Sequence, residues 1–310
     1  MFPSLVDFKP YIVTGLALGG VYALSGVGIV VLYRATGVLN LAFGAIGAMG
    51  ALISWTLINH TSFPDWASYL LCVVFGGLVT FAYGVVFGPP LARRDPLVKA
   101  VATLGLALIL LGLMSYLWPP IGRTQLLPTS TPEYSYHIGW AGVDITMTQI
   151  IGLAFGVFVT LGVSAFLRMT KLGTAMRALA DDREITATLG VPVRRVEAVA
   201  WLGSGLIAGA AGLLLSDLVG LDAVNLTFLI ISSLAAALIA RLRSLVATLL
   251  AGLAVGLATA LLTPITSWPS ETNYQFSLSS YRGGAPFVIA IATLLFLARR
   301  RVVSVSRTDG

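Results

Sequence analysis

Apolar stretches long enough to cross a membrane recur along this chain and restrict what it can fold into. Six have spanning length, and they cover residues 11–32, 39–58, 67–88, 97–117, 148–168 and 197–219. A longer apolar tract, 226–263, contains Arg241 and Arg243, so we expect it to fold as two segments. A shorter tract covers residues 285–298. The sequence predicts an all-α fold, a polytopic transmembrane helical bundle of eight or nine spans.

The composition excludes an ordinary soluble protein. Hydrophobic residues make up 57% of the chain and charged residues only 10%, whereas soluble domains are about 25% charged. No long segment has the composition of a soluble domain. We therefore expect residues 1–310 to form a single integral membrane domain.

The basic residues indicate how the bundle is oriented. If residue 34 is cytoplasmic and the spans alternate, all but three of the 19 Lys and Arg residues lie inside, the exceptions being Lys9, Arg123 and Arg282. Such a bias follows the positive-inside rule. It favours nine crossings, an external N-terminus and a cytoplasmic tail over residues 299–310.

A polar stretch over residues 171–198 separates the fifth and sixth spans and must meet water or a soluble partner. Asp181 is a good N-cap, and Glu184, three residues later, would complete a capping box. A short helix is then expected over residues 182–189. Gly190 supplies its left-handed stop.

This short helix has the features of a docking element. Ile185 and Leu189 are four residues apart and share one face, and Pro192 prevents the helix from continuing. The alternative is a solvated loop whose five basic and four acidic residues only keep it wet. The expected docking residues are Arg177, Asp181, Asp182, Arg183, Glu184, Ile185, Leu189, Gly190 and Arg194.

Polar side chains inside the apolar spans are candidates for lining a solute pathway. Among them the amide of Asn40 is the best single candidate, because it can both donate and accept hydrogen bonds. The alternative is that these residues join helices to each other. The candidates are Tyr22, Ser25, Tyr33, Asn40, Ser204, Ser232 and Ser233.

The chain lacks the sequence patterns of the common enzyme classes. None of its three lysines follows a glycine, which excludes a G-x-x-x-x-G-K-[ST] phosphate loop. His60 and His137 are the only histidines, and both fall in predicted external loops without metal-ligand spacing. Cys72 is the only cysteine, so no intramolecular disulfide forms. We expect no enzymatic activity, no metal and no cofactor.

Three segments in register resemble a known family. They read LYRATGVLNLAFGAIGAMGA at 32–51, RRDPLVKAVATLGLALIL at 93–110 and GTAMRALADDREITATLGVPVRRVEAVAWLGSGLIAGAAGLLL at 173–215. The chain is similar in these segments to the LivH-type permeases of branched-chain amino-acid ABC importers. A later turn that is glycine-rich in that family reads ARLRS here, at residues 240–244.

The resemblance implies a permease subunit in the bacterial inner membrane. A second permease, either a paralogue or a copy of this chain, would pair with it. Two cytoplasmic ABC ATPases would hydrolyse ATP below, with residues 170–198 as the coupling loop, and an external solute-binding protein would deliver the solute. Branched-chain amino acids, other small amino acids and amide-like solutes remain open. So do a stand-alone carrier or channel and a scaffold without transport.

Overall fold

A computed structural model describes residues 8–61, 63–92, 94–118, 135–138, 143–266 and 288. This part of the chain is a helical bundle with one β-hairpin. In chain order the elements are α1 (Lys9–Thr36), α2 (Phe43–His60), α3 (Asp65–Leu91), α4 (Pro96–Leu117), β1 (Ser135–Ile138), β2 (Val143–Thr146), α5 (Met147–Met169), α6 (Lys171–Asp181), α7 (Arg183–Thr188), α8 (Val193–Val219), α9 (Ala223–Phe228), α10 (Ile230–Ile239) and α11 (Leu245–Thr266).

Five helices in the described residues, α1, α3, α4, α5 and α8, are long and apolar enough to cross a membrane. They correspond to five of the six predicted stretches of spanning length. The remaining stretch, 39–58, forms the shorter α2, which begins only at Phe43. The tract 285–298 lies outside the described residues apart from position 288. The polytopic helical class is thus confirmed, and the total of eight or nine spans stays a prediction.

Helix α1 is the centre of the bundle. Of its most apolar 18-residue window 89% is buried, compared with 33% for α3, 28% for α4 and 22% for α5. Helices α5, α8, α10 and α11 all pack against it. The outer helices keep apolar faces exposed, as helices do when lipid rather than water surrounds them.

Glycines set the closest helix contacts. Gly15 and Gly19 of α1 face Gly252 and Gly256 of α11, and a Cβ added at Gly19 would lie only 2.7 Å from the Cα of Leu253. Small residues in such positions let two backbones approach. In the same way Gly152/Gly156 meets α1, Gly205/Gly209 meets α3 and Gly84 meets Trp201 of α8. These pairs serve packing inside the bundle.

The tract 226–263 breaks where the two arginines interrupt it. Helix α10 ends at Ile239 and α11 begins at Leu245. Between them Arg241 has φ 55° and Leu242 has φ 56°, a left-handed backbone conformation that residues other than glycine rarely adopt. The N-terminal part is split again, into α9 and α10. Because a ten-residue helix rises only about 15 Å, α10 by itself does not cross the membrane.

The β-hairpin was not expected from the sequence. Strands β1 and β2 pair in antiparallel fashion, with Ser135 opposite Thr146 and His137 opposite Asp144. His137 therefore belongs to a strand, and its Nδ1 lies 2.7 Å from Oδ1 of Asp144. Thr146 then begins α5 through a capping box with Gln149.

Candidate functional site

The polar stretch between α5 and α8 folds as two helices, not one. Thr170 caps α6 by accepting a hydrogen bond from the Gly173 amide at 2.9 Å. Asp182 caps α7 by accepting from the Ile185 amide at 2.9 Å. The predicted N-cap, Asp181, is wrong, because this residue is the last of α6 and only Asp182 has the extended backbone of a cap (φ −152°). The predicted capping box of Asp181 with Glu184 is wrong for the same reason.

The end of α7 agrees with the stop signals predicted from the sequence. Gly190 adopts a left-handed φ of 81°, and Pro192 immediately precedes α8. On one face of this short helix Ile185 is 60% exposed and Leu189 is 77% exposed, whereas Thr186 on another face is buried. Two large apolar side chains on the same face of the helix are thus exposed.

Arg183 ties α7 to the rest of the bundle. Its Nη2 lies 2.7 Å from Oε1 of Glu197 on α8, and its Nη1 donates to the carbonyl of Ala92 at 3.5 Å. Arg177 on α6 donates to Thr174 Oγ1 at 3.3 Å, while its Nε is buried without a partner. Arg194 is exposed at the start of α8. Arg183 therefore attaches α7 to the rest of the bundle, and its side chain is not free.

Beside α6 and α7 lies a cavity of about 860 Å³, which we call the basic cavity. The end of α1, the start of α4, the α6–α7 junction and the α10–α11 turn form its walls. Nη1 of Arg34 donates to the Arg243 carbonyl at 3.1 Å across it. Its charged lining residues are Arg34, Lys99, Asp181, Arg183, Arg241 and Arg243. Sequence reasoning placed these basic residues on one side of the membrane but did not bring them into one cavity.

The candidate pathway residues do not share one location. Five of them, Tyr22, Ser25, Ser204, Ser232 and Ser233, are buried inside the bundle, whereas Tyr33 lines the basic cavity. Ser25 and Ser233 line an interior cavity of about 10 Å³, which has room for about one water. Their role in a pathway stays a prediction.

Unsatisfied hydroxyls mark this part of the interior. The side-chain oxygens of Ser204, Ser232 and Ser233 are buried without a hydrogen-bond partner. Tyr22 approaches Ser232, but the serine hydroxyl makes no hydrogen bond of good geometry. Buried polar groups are nearly always paired, so these three hydroxyls are exceptions within the described interior.

Asn40 lies in the turn before α2. The apolar stretch 39–58 predicted Asn40 at the start of the second span, but the helix begins only at Phe43. Its Oδ1 accepts from the Ala42 amide at 3.0 Å, and its Nδ2 is buried without a partner. Thr103 of α4 completes the turn, since its Oγ1 accepts from the Leu41 amide at 3.1 Å and donates to the Leu39 carbonyl at 2.9 Å. Sequence reasoning missed Thr103, whose only signal is a hydroxyl within an apolar stretch.

An all-α bundle of apolar helices around a buried central helix, with basic residues collected at one end, defines a polytopic membrane protein. Within that class, the chain belongs to the family of permease components of the branched-chain amino acid transport system, which matches residues 11–299. The resemblance seen in the sequence is thereby confirmed. Membrane transport is the activity of this family.

Curated relatives agree with this family. The high-affinity branched-chain amino acid transport system permease protein BraD of Pseudomonas aeruginosa is 26% identical over 69% of this chain and 72% of its own length. A probable branched-chain amino acid transport permease protein, LivH of Methanocaldococcus jannaschii, is 26% identical over 71% of this chain and 70% of its own. LivM of Escherichia coli is 28% identical over 63% of this chain and 49% of its own.

Among solved structures, PsaBC from Streptococcus pneumoniae in complex with Fab contains a similar chain. The TM-score is 0.45 and the identity 14%, over 92% of this chain and 90% of that one.

Proposed function

We propose that this chain is the permease subunit of an ATP-binding-cassette importer, and that α7 is the element through which a cytoplasmic ATPase drives it. The solute is a branched-chain or other small amino acid or an amide-like molecule, in keeping with what the relatives carry by name. The observation that carries the coupling role is the exposed pair Ile185 and Leu189 on a helix that Asp182 caps and that Arg183 ties to α8.

The contacts of α7 suit an element that transmits movement to the rest of the bundle. Its start is fixed by Asp182, and its side is tied to α8 through Arg183 and Glu197 at 2.7 Å. A displacement of α7 is therefore passed to α8, which packs against the central α1. Burying each of the two exposed side chains in a partner would contribute roughly 1.5–3 kcal/mol, enough to hold an ATPase against the loop.

The arrangement of charge supports the orientation that this role needs. Arg34, Lys99, Arg183 and Arg241 meet around one cavity at the same end of the bundle as α7. In keeping with the positive-inside rule, we propose that this end is cytoplasmic, that the N-terminus is outside and that the tail 299–310 is inside. The proposed assembly has a second permease, two ATPases below and an external solute-binding protein above.

The proposed pathway runs near the unpartnered interior groups. Asn40 Nδ2 and the hydroxyls of Ser204, Ser232 and Ser233 lack hydrogen bonds here. In the alternating-access cycle of an importer, helices separate and reclose. These polar groups, together with Tyr22, Ser25 and Tyr33, are the proposed lining when the bundle opens.

The test is to change Ile185→Asp in the reconstituted importer and to measure ATP-driven solute uptake and solute-stimulated ATPase activity. A carboxylate in an apolar docking site is costly, so we expect both activities to fall at least tenfold while membrane insertion is unchanged. Ala187→Asp is the matched control, because Ala187 is also exposed on α7 but outside the Ile185/Leu189 face.

Normal coupled activities in the Ile185→Asp protein would contradict the docking role. Uptake by the isolated chain without ATP or partners would instead support a stand-alone carrier or channel. Loss of both activities in the Ala187→Asp control would show that a charge anywhere on α7 is disruptive, and would remove the support for a specific face.

A further inference from the structure

The basic cavity carries a net positive charge, because five basic residues and one acidic residue, Asp181, line it. It brings together Arg34, Lys99, Arg241 and Arg243, in addition to Arg183. Glu197 neutralises Arg183. Among the described residues the salt bridges are this one and the pair His137–Asp144. The other four cations therefore make no salt bridge there, and the one carboxylate of Asp181 offsets only part of their charge. Concentrated positive charge of this kind attracts an anion.

Backbone strain at the α10–α11 turn adds a second, independent observation. Arg241 and Leu242 are consecutive non-glycine residues in the left-handed region, at φ 55° and 56°. Such residues cost free energy and persist where the surroundings impose them, often at ligand sites. Here the strained turn carries Arg241 and Arg243, which line the cavity together with Lys99.

An apolar track leads away from the cavity along the outside of α11. Val246 and Leu250 follow Arg243 at helical spacing, and they are 47% and 62% exposed. A soluble anion would make no contact with these apolar side chains, whereas the acyl chain of a lipid would cover them. Basic pockets between the ends of membrane helices are known to hold acidic lipid head groups.

From these three features we propose that the basic cavity binds the phosphate head group of an acidic phospholipid, with an acyl chain along Val246 and Leu250 of α11. Arg241, Arg243 and Lys99 contact the phosphate. Guanidinium groups are suited to this contact because they donate paired hydrogen bonds to phosphate oxygens. The cavity, at about 860 Å³, is large enough for a complete head group.

The binding test uses the purified full-length chain in neutral detergent, titrated with phosphatidylglycerol or phosphatidylcholine and followed by native mass spectrometry. We expect the acidic lipid to bind more tightly than the neutral one. Each basic side chain near a membrane surface changes affinity for acidic lipid about fivefold. The double variant Arg241→Gln/Arg243→Gln should therefore lose about twenty-five-fold, whereas Arg241→Lys/Arg243→Lys should lose much less.

A matched control removes the same charge elsewhere. Arg168 and Arg195 are exposed near the same end of the bundle and do not line the cavity, so Arg168→Gln/Arg195→Gln should retain binding. Lys99→Met serves as a second, independent variant if the double variant does not fold, and it should lose about fivefold. Thermal unfolding of each protein separates lost binding from lost structure.

Several outcomes would overturn the proposal. One is equal binding of the two lipids, and another is equal loss in the control and in the cavity variants. A third is full competition by glycerol 3-phosphate or inorganic phosphate at concentrations matching the lipid, which would make the site one for soluble anions. Retained affinity in both the Arg241/Arg243 and the Lys99 variants would place the lipid elsewhere.

Discussion

Asn40 uses the oxygen of its side-chain amide for a hydrogen bond but leaves the nitrogen unpaired. Its Oδ1 holds the Ala42 amide at 3.0 Å, so this side chain shapes the turn that leads into α2. Its Nδ2 is buried without a partner, which typically costs about 1–3 kcal/mol. One half of the amide is therefore structural, and the other half is available to a solute or a water.

This division makes a prediction for two substitutions at position 40. Asn40→Leu removes both functions, whereas in Asn40→Ser a hydroxyl still accepts from the amide two residues later but no amide donor remains. If Nδ2 contacts the solute, both variants should lower the uptake rate per assembled importer, with Asn40→Leu also lowering the yield. The measurement is uptake normalised to purified complex.

The two variants also test the alternative, in which Asn40 only stabilises the turn before α2. An unchanged normalised rate in both would mean that Asn40 serves only the turn. In that case Asn40→Ser should assemble nearly as well as the original chain, because the hydrogen bond from the Ala42 amide is kept.

At the scale of elements, the α1–α11 contact shows how small residues decide the packing. Gly15 and Gly19 lie against Gly252 and Gly256 with no room for a side chain. The sequence shows these pairs, but only the structure shows which pair faces which. Gly105 on α4, in contrast, has nothing within 4 Å of where its Cβ would be.

We therefore expect opposite effects from the same change at two glycines. Gly19→Ala places a methyl group 2.7 Å from the Leu253 Cα and should destabilise the protein by about 1–3 kcal/mol. Gly105→Ala adds a better helix former in open space and should be neutral or stabilising by up to about 1 kcal/mol. Thermal unfolding in one detergent measures both. Equal stability of the two variants would contradict the tight packing of α1 on α11.

The α6–α7 junction shows where local sequence reasoning is reliable and where it is not. The short helix that stops before Gly190 lies where the sequence predicted it, because Gly190 and Pro192 are local signals. The cap was placed one residue too early. Asp181 and Asp182 are equally good caps by chemistry, and the difference is that α6, which was not predicted, continues through Asp181.

At the scale of the whole molecule, the proposed orientation can be tested with single cysteines. Cys72 is fully buried and should give little background labelling. Glu184 on α7 and Tyr136 on β1 are exposed. In intact cells a membrane-impermeant thiol reagent should label Tyr136→Cys and not Glu184→Cys, and permeabilised cells should show both. Labelling of the Glu184→Cys protein alone in intact cells would invert the topology.

The sequence by itself determined the class of protein, the family and the stop after α7. The class follows from length and hydrophobicity, the family from the resemblance of three segments, and the stop from Gly190 and Pro192, which act over a few residues and need no partner. Even the break at Arg241 was visible, since charges interrupt an apolar tract.

Only the tertiary structure decided which helix is central and what meets at the basic end. The five spanning helices have similar hydropathy, yet α1 is 89% buried in its apolar window and α5 only 22%, so hydropathy did not distinguish a protein-facing helix from a lipid-facing one. Arg34, Lys99 and Arg241 are separated by more than sixty residues at each step and come together only when the helix ends assemble. Long-range packing between apolar surfaces sets that arrangement, and no local pattern in the chain encodes it.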